Sequence, residues 1–223
     1  MRIALLHTGA VVIATFAELT KEHWGSTEVL NLLDDKVVAD LRRPDLAPSV
    51  PRRLVSLAGA AAAAGADAVV LTCSSISGFA AETAAAAGLP VLRIDEAMAD
   101  EAARISRDTG GAIAVVATLS TTLTPTVALL RERLALSDPE AGPRTRVDEL
   151  LADGAFEAIV AGDRATHDAL VGDAVRRAAR TAQVVVLAQA SMVSAADGVE
   201  VDVPVLSSPG LGVRRVASLL GLG

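Results

Sequence analysis

The sequence predicts an α/β protein made of two pseudo-symmetric half-domains, each with a parallel sheet covered by helices. Short β-branched runs alternate with Ala/Leu-rich segments of helical length, which is the pattern of βαβ units. The pattern also occurs twice. Residues 3–8 (IALLHT) return as 113–118 (IAVVAT), and residues 69–75 (VVLTCSS) return as 185–191 (VVLAQAS). One duplicated half-domain is the simplest explanation of both repeats.

Each element is predicted from its local pattern. Strands are expected near residues 2–7, 28–33, 68–73, 90–94, 112–117, 144–147, 183–188 and 203–206. Helices are expected near residues 11–23, 50–64, 77–87, 95–109, 122–135, 146–160, 165–180 and 210–220. The half-domains, each of flavodoxin-like layout, are expected over residues 1–110 and 111–223, and the chain could cross back before its end.

The composition argues against several classes of partner. The chain has 223 residues, of which 52% are hydrophobic, so it can bury a full core. Its formal charge is −7, from 20 basic and 27 acidic residues, and only 2% of the residues are aromatic. Such a chain lacks the positive field that attracts nucleic acids and anionic membranes, and it lacks the stacking surfaces that bases need. We expect no nucleic-acid partner and no membrane partner.

The single cysteine and the three histidines limit metal and redox chemistry. Cys73 has no second cysteine with which to form an internal disulfide, and His7, His23 and His167 are not spaced as zinc ligands. The apolar run that follows Met1 is too short for a signal peptide, and no apolar segment reaches the roughly 20 residues of a membrane span. We expect a cytoplasmic homodimer without a metal or an organic cofactor.

Small polar residues follow four of the predicted strands. In parallel α/β sheets, ligands bind beyond the carboxyl ends of the strands, where helix N-termini present unpaired N–H groups to anions. Hydroxyl and N–H donors in a half-buried setting suit a carboxylate, so a small carboxylic acid is the expected ligand. The residues expected to hold it are Thr8, Ser74, Ser75, Thr118, Thr121, Gln189 and Ser191.

These motifs resemble the aspartate/glutamate/hydantoin racemase superfamily over nearly the whole chain. The resemblance rests on the doubled layout, on Cys73 followed by small polar residues, and on residues 117–121 (ATLST) after the strand that opens the second half. It implies a site in the cleft between two lobes and a cofactor-independent reaction. In the family, two cysteines face the α-carbon of the substrate, and one removes a proton as thiolate while the other returns one. The first maps onto Cys73 and the second onto Gln189.

The glutamine at position 189 changes the chemistry that the resemblance implies. An amide cannot act as an acid or a base near neutral pH, so two-thiol racemisation is excluded for this chain alone, unless His7 or a neighbouring subunit provides the second group. One thiol is enough to protonate a carbanion, as in the related arylmalonate decarboxylases, and could be enough to attack a double bond, as in the related maleate isomerases. Gln189 could then hydrogen-bond a substrate oxygen.

The expected function is therefore an isomerase-like or racemase-like reaction on a small carboxylate, with Cys73 and His7 as the catalytic residues. Decarboxylation of a malonate-type acid and cis–trans isomerisation are the alternatives within the superfamily. A carboxylate-binding protein without catalysis is the alternative from a different class.

A structural role stays open for each candidate residue. A cysteine at the end of a buried strand is often an inert small hydrophobe, and Ser or Thr after a strand often only caps a helix. His7 could be an acid or base or a hydrogen-bonded structural residue. Asp163 and His167 are expected at the start of a helix. The acidic pairs at residues 34–35 and 95–96 favour capping and solvation over acid–base chemistry.

Overall fold

The computed structural model describes residues 1–222, and the elements follow one another in the expected alternation of strand and helix. The strands are β1 (Arg2–His7), β2 (Glu28–Leu33), β3 (Ala68–Leu71), β4 (Val91–Arg93), β5 (Ile113–Ala117), β6 (Val147–Leu151), β7 (Val184–Leu187) and β8 (Val205–Ser207). The α-helices are α1 (Ile13–His23), α2 (Val37–Asp40), α3 (Val50–Ala63), α4 (Ser74–Ser77), α5 (Ala80–Ala87), α6 (Glu96–Thr109), α7 (Ser120–Ser137), α8 (Ala155–Val160), α9 (Arg164–Ala179), α10 (Val193–Asp197) and α11 (Ser208–Leu220).

The chain forms two compact units with the same sheet topology. Unit 1 contains Met1–Asp95 and the chain from Pro209 onward, and unit 2 contains Glu96–Ser208. The sheet of unit 1 has the strand order β2-β1-β3-β4, and the sheet of unit 2 has the order β6-β5-β7-β8. All strand pairs in both sheets are parallel. The predicted fold class, two parallel-sheet α/β half-domains, is confirmed.

The boundary between the units differs from the expected one at residue 110. Helix α6 belongs to unit 2, because it packs against α7 and β7. The chain crosses back at Pro209, and α11 packs on the sheet of unit 1, where Val213 and Val216 join a buried cluster with Trp24. The indole N–H of Trp24 donates to the Val213 carbonyl at 2.9 Å. Tertiary packing therefore assigns α6 to the unit that sequence order does not indicate, and the crossing back that the sequence left open takes place at Pro209.

The core of unit 1 lies on both faces of its sheet. Ala4 and Leu6 of β1 point to the face covered by α3, where Leu54 is fully buried. Ile3 and Leu5 point to the opposite face, which is covered by α1 and α11. Because side chains alternate along a strand, a strand covered on both faces is a continuous apolar run. This explains the uninterrupted sequence of β1 up to His7.

The core of unit 2 repeats this arrangement. Ala114 and Val116 of β5 pack with Val171 and Val175 of α9, and all four are buried. Helices α7 and α6 pack against β5 and β7 respectively. No helix within residues 1–222 combines the length and the apolar character that crossing a membrane requires.

Three predicted elements are wrong in detail. The expected strand at 144–147 and helix at 146–160 are in fact β6 at Val147–Leu151 followed by α8 at Ala155–Val160. Pairing of β6 with β5 decides the structure of this segment, although its Asp-Glu-Leu sequence is equally compatible with a helix. The expected helix at 77–87 is divided into α4 and α5, which are separated at Gly78 and Phe79.

Candidate functional site

In unit 1, β1 and β3 end side by side and place the candidate residues at one edge of the sheet. Leu6 pairs with Leu71, so Thr8 and Cys73 follow at adjacent strand ends. The Thr72 N–H donates to the Leu6 carbonyl at 3.1 Å and continues the ladder past the last paired residue. The sheet of unit 1 therefore brings the His7-Thr8 and Thr72-Cys73 segments together, as the sequence predicts.

Cys73 is the second residue after β3 and the N-cap of α4. Its backbone is extended, with φ −132° and ψ 125°, and its thiol is free and half-buried. The side chain packs at the edge of the buried cluster that covers one face of the sheet. Ser74 and Ser75, which follow, are both buried, at 4% and 8% exposure. The thiol thus lies between the apolar core and a short polar segment.

His7 is the last residue of β1, and both nitrogens of its ring make hydrogen bonds. The side chain is fully buried. Nδ1 is 2.9 Å from the hydroxyl of Thr72, and Nε2 is 2.9 Å from Oδ1 of Asn31 on β2. Burial lowers the pKa of His7 below its ordinary value, and the hydrogen bond to Asn31 opposes this effect. His7 is thus held within unit 1 by residues of both neighbouring strands.

Unit 2 repeats this edge at the ends of β5 and β7, with different side chains. Gln189 is the N-cap of the 3-10 turn after β7, and its backbone, at φ −135° and ψ 137°, closely matches that of Cys73. Its Oε1 accepts hydrogen bonds from the backbone N–H of Thr118, at 2.7 Å, and from the Thr118 hydroxyl, at 3.0 Å. A backbone N–H only donates, so this contact sets the orientation of the amide.

The remaining polar candidates of unit 2 lie on the same segments. Thr121 is in the first turn of α7, and its hydroxyl oxygen is buried without a hydrogen-bond partner within residues 1–222. Ser191 is half-buried in the 3-10 turn that Gln189 precedes. An unpaired buried hydroxyl is uncommon in a folded protein, and an ordered water or a ligand would give it a partner.

Side-chain capping does not explain these strand ends. The N-cap residues after β1, β3, β5 and β7 make no side-chain cap hydrogen bond, and they are Gly9, Cys73, Leu119 and Gln189. Helix α9 is capped by Asp163, whose carboxylate accepts from the Thr166 N–H at 3.0 Å. Other helix starts in residues 1–222, among them those of α1, α3 and α5, also lack a side-chain cap, so the missing caps do not distinguish these strand ends.

The other titratable candidates are engaged in local contacts. Asp34, after β2, is bound to Arg53, which also binds Asp40 at 2.5 Å, and these contacts raise the pKa of the Arg53 guanidinium. Asp95 is buried and lies 3.5 Å from Nε of Arg93. Asp34 thus serves an ion pair within unit 1, whereas both carboxylate oxygens of Asp95 are buried without a hydrogen-bond partner within residues 1–222.

His167 is buried in the first turn of α9, as expected from its position after Asp163. Its Nδ1 is 2.7 Å from the Asp168 carboxylate, and its Nε2 has no hydrogen-bond partner in the part of the chain that the structure describes. Its polar contact is thus with the next residue of its own helix, while the second ring nitrogen is buried and unpaired among the described residues.

One residue of the site was not singled out from the sequence. Asn31 contacts the ring of His7, although it comes from an edge strand and not from a strand end. The available signal was a single amide in the otherwise aliphatic run Val29–Leu33. The register of β1 and β2, which pairs Leu5 with Asn31, brings the amide to the ring.

A separate cavity of about 540 Å³ in unit 2 lies at the opposite edge of the sheet, beside Ala112 and Gln183, which precede β5 and β7. Its arginines include Arg107 and Arg146, which pair with neighbouring aspartates. The cavity is thus distinct from the strand ends that carry the candidate residues. Residues 1–222 contain no group of three or more His, Cys, Asp and Glu side chains that could hold a metal ion.

Comparison with known proteins gives a family and a fold. A family model described as Asp/Glu/Hydantoin racemase matches residues 8–216. No curated protein matches the chain significantly. Among solved structures, glutamate racemase from Francisella tularensis in complex with D-glutamate superposes with a TM-score of 0.75 at 12% identity, over 99% of this chain and 81% of that chain.

Two further solved structures have the same fold. Allantoin racemase from Klebsiella pneumoniae has a TM-score of 0.68 at 20% identity, over 100% of this chain and 89% of that chain. A cysteine-for-glycine variant of arylmalonate decarboxylase has a TM-score of 0.60 at 19% identity, over 99% of this chain and 94% of that chain. At these identities the structures establish the fold, while the family model covers most of the chain.

Proposed function

The chain belongs to the Asp/Glu/hydantoin racemase family, and we propose that it is an isomerase-like enzyme that moves a proton at the carbon next to a carboxylate, with Cys73 as the acid–base group. The observation that carries this proposal is the half-buried free thiol of Cys73 at the end of β3, beside two buried serines. A thiolate at this position takes the α-proton and becomes a thiol, and the electron pair passes into the carboxylate as an enolate.

The substrate is proposed to be a small carboxylic acid, such as an amino acid, a hydroxy acid or a hydantoin-like compound. Its oxygens would be held by hydroxyl and backbone N–H donors at the strand ends. The unpaired hydroxyl of Thr121 supports this role, because a carboxylate oxygen would give it a partner. The proposed binding residues are Thr8, Ser74, Ser75, Thr118, Thr121, Gln189 and Ser191.

The pairing of Gln189 with Thr118 supports chemistry by a single thiol. An amide transfers no proton near neutral pH, so a carbanion formed by Cys73 receives its proton back from Cys73. One thiol acting on one face exchanges the α-proton with solvent without inverting the carbon. Inversion needs a second donor, and His7 is the proposed candidate because it is the ionisable side chain at the neighbouring strand end.

Decarboxylation of a malonate-type acid is the second candidate reaction, and Gln189 is the observation that favours it. Loss of CO2 leaves the electron pair on the α-carbon, and the Cys73 thiol supplies the one proton that is needed. Arylmalonate decarboxylase is one of the proteins that share the fold. The reaction requires no acid or base at position 189.

The proposal also includes the cofactor requirement, the cellular compartment and the oligomeric state of the enzyme. The reaction would use the thiol without a metal or an organic cofactor. A free thiol that must stay reduced suits the cytoplasm, where disulfides are rare. A homodimer is proposed as the working form, because two-fold dimers are the commonest oligomers.

Proton NMR in D2O tests the proposed function. The protein would be incubated with amino acids, hydroxy acids, hydantoins, substituted malonates and maleate, beside a Cys73→Ser variant that keeps the size of the side chain. We expect deuterium at an α-carbon or loss of CO2 only with intact Cys73. Equal conversion by the variant would refute catalysis by the thiol. If the panel is unchanged while a carboxylate protects Cys73 from iodoacetamide, the protein binds carboxylates without the proposed reaction.

A further inference from the structure

Helix α3 of unit 1 and helix α9 of unit 2 bury stripes of the same spacing, but the first residues of the two stripes differ in chemistry. The buried stripes are Val50, Leu54, Ala58 and Ala61 in α3, and His167, Val171, Val175 and Ala178 in α9. Residues with this spacing lie on one face of a helix. His167 is fully buried and thus occupies the position that unit 1 fills with a buried valine.

The first turn of α9 lies beside the segment that follows β7. Nη1 of Arg164 donates to the Ser194 hydroxyl of α10 at 3.1 Å. Val171, one turn after His167, belongs to the buried cluster that contains Val116 of β5 and Leu187 of β7. Side chains alternate along a strand, so Thr118 and Gln189, each two residues further, start from this same face of the sheet. Cys73 has the corresponding position in unit 1, where it packs at the edge of the cluster that covers α3.

Asp168 orients the ring of His167 and leaves one ring nitrogen without a partner. Nδ1 lies 2.7 Å from the Asp168 carboxylate, which accepts, so Nδ1 carries a hydrogen. Nε2 is buried and has no hydrogen-bond partner within residues 1–222. A buried polar atom usually has a partner, and a bound molecule supplies one where the protein does not. Nε2 is therefore the ring atom that a ligand of this strand end can complete.

We propose that Nε2 of His167 is the charged contact of the carboxylate site, where an imidazolium donates a hydrogen bond to a carboxylate oxygen. Because Nδ1–H is bound to Asp168, a ring that binds a carboxylate through Nε2 carries both hydrogens. The inference rests on the proposed function for the class of ligand, a small carboxylic acid. The residues proposed there to hold the ligand are neutral donors, and His167 supplies the positive charge that they lack.

Access to the buried nitrogen requires a side chain to move, and Gln189 is the candidate. Its amide is half-buried and is hydrogen-bonded to Thr118, whose N–H and hydroxyl it engages through Oε1. A ligand oxygen that binds the Thr118 N–H replaces this amide oxygen. The ligand then lies on the side of the sheet that α9 covers, at the end of the helix where His167 is found.

Nitrogen-15 NMR of the histidine rings and backbone amides tests the inference with malonate, glutamate and maleate as probes. Cys73→Ser is used beside the wild type so that no probe is consumed, and each histidine is substituted in turn to assign the rings. We expect a bound probe to shift the His167 ring and the Thr118 amide, with a hydrogen on Nε2 of His167 in the bound state. His167→Gln should bind the probe at least about tenfold more weakly, because a charged hydrogen bond is lost. His23→Gln is the matched control, since it removes the same kind of ring from α1 and should bind like the wild type.

Two results with intact His167 would overturn the inference, so it does not depend on folding of the substituted protein. One is a probe that shifts the Thr118 amide and leaves the His167 ring unchanged. The other is a bound state in which Nε2 of His167 has no hydrogen. Failure of all three probes to move either signal would also refute a carboxylate site at this strand end. Binding at His167 without any Cys73-dependent reaction would remove the proposed function and leave the inference standing.

Discussion

The ends of β3 and β7 have nearly the same backbone but different chemistry. Cys73 and Gln189 are both N-cap residues with extended conformations that agree to within about 15° in φ and ψ. In unit 1, hydrogen bonds join Asn31 to His7 and His7 to Thr72, and the thiol of Cys73 stays free. In unit 2, the side chain of Gln189 itself accepts a hydrogen bond from the backbone N–H of Thr118, which follows the neighbouring strand β5.

The equivalent positions show how this difference arises. Register places Ala117 and Ala188 of unit 2 where unit 1 has His7 and Thr72, and both alanines are buried. Unit 2 therefore has small apolar residues at these two positions, and its hydrogen bonds at the strand ends join Thr118 to Gln189. The two strand ends occupy equivalent positions in the two units. Their side chains differ, so that the end of β3 has a free thiol and the end of β7 has a hydrogen-bonded amide. The predictions below test this assignment, from the largest expected effect to the smallest.

Replacement of the thiol should have the largest effect. Cys73→Ser keeps the shape of the side chain but removes a group that is proposed to transfer the proton, and we expect turnover to fall about 10³-fold. Deuterium incorporation or CO2 release measures the loss, and thermal unfolding measures the stability of the variant. A variant that retains most of its activity would mean that the two strand ends do not differ in the proposed way.

Packing of α11 on unit 1 can be tested at Gly212. A Cβ at this position would lie 2.1 Å from the Ile94 carbonyl oxygen, so Gly212→Ala should reduce stability by about 1–3 kcal/mol. Gly210→Ala in the same helix is the control, because its Cβ would meet only the flexible end of Arg214, at 3.4 Å. Chemical denaturation measures both variants. Equal stabilities would contradict the close approach of α11 to the strand end.

Hydrogen exchange can show whether the effect at Gly212 is confined to one unit. We expect the substitution to reduce protection of β1 amides more than protection of β5 amides, since α11 covers the sheet of unit 1. The same loss of protection in both sheets would indicate that the two units unfold together.

Charge at the end of β7 should have a moderate effect on substrate binding. Gln189→Glu preserves an acceptor for the Thr118 N–H but adds a negative charge where a substrate carboxylate is proposed to bind. We expect KM to rise on the order of tenfold, since like charges near a protein surface repel by at least about 1 kcal/mol. Steady-state kinetics at two salt concentrations measures this change. Unchanged KM at low salt would remove Gln189 from the binding residues.

The pH dependence of stability provides the smallest effect. Burial lowers the pKa of His7, so below about pH 6.5 the unfolded chain takes up a proton that the folded protein does not. Stability should therefore fall as the pH decreases through this region. His7→Gln should fall less steeply between pH 7 and pH 5, whatever its absolute stability. Urea unfolding at several pH values measures the slopes, and parallel slopes would contradict a neutral buried His7.

The sequence by itself determined the doubled α/β fold and the positions of Cys73 and Gln189 at corresponding strand ends. Strands such as β1 and β5 are local apolar runs that repeat, and short-range propensity is enough to place them. The end of a parallel strand is also where a ligand site is expected, so the polar residues there could be identified before any contact was known.

Only the tertiary structure decided what these residues contact. His7 and Thr72 are 65 residues apart, and Thr118 and Gln189 are 71 residues apart. Such contacts depend on register between strands, which local pattern does not encode, and this is also why Asn31 was not anticipated. The same reason applies to β6, whose conformation is set by pairing with β5. Position followed from local sequence, whereas hydrogen-bond partners followed from which strands lie side by side.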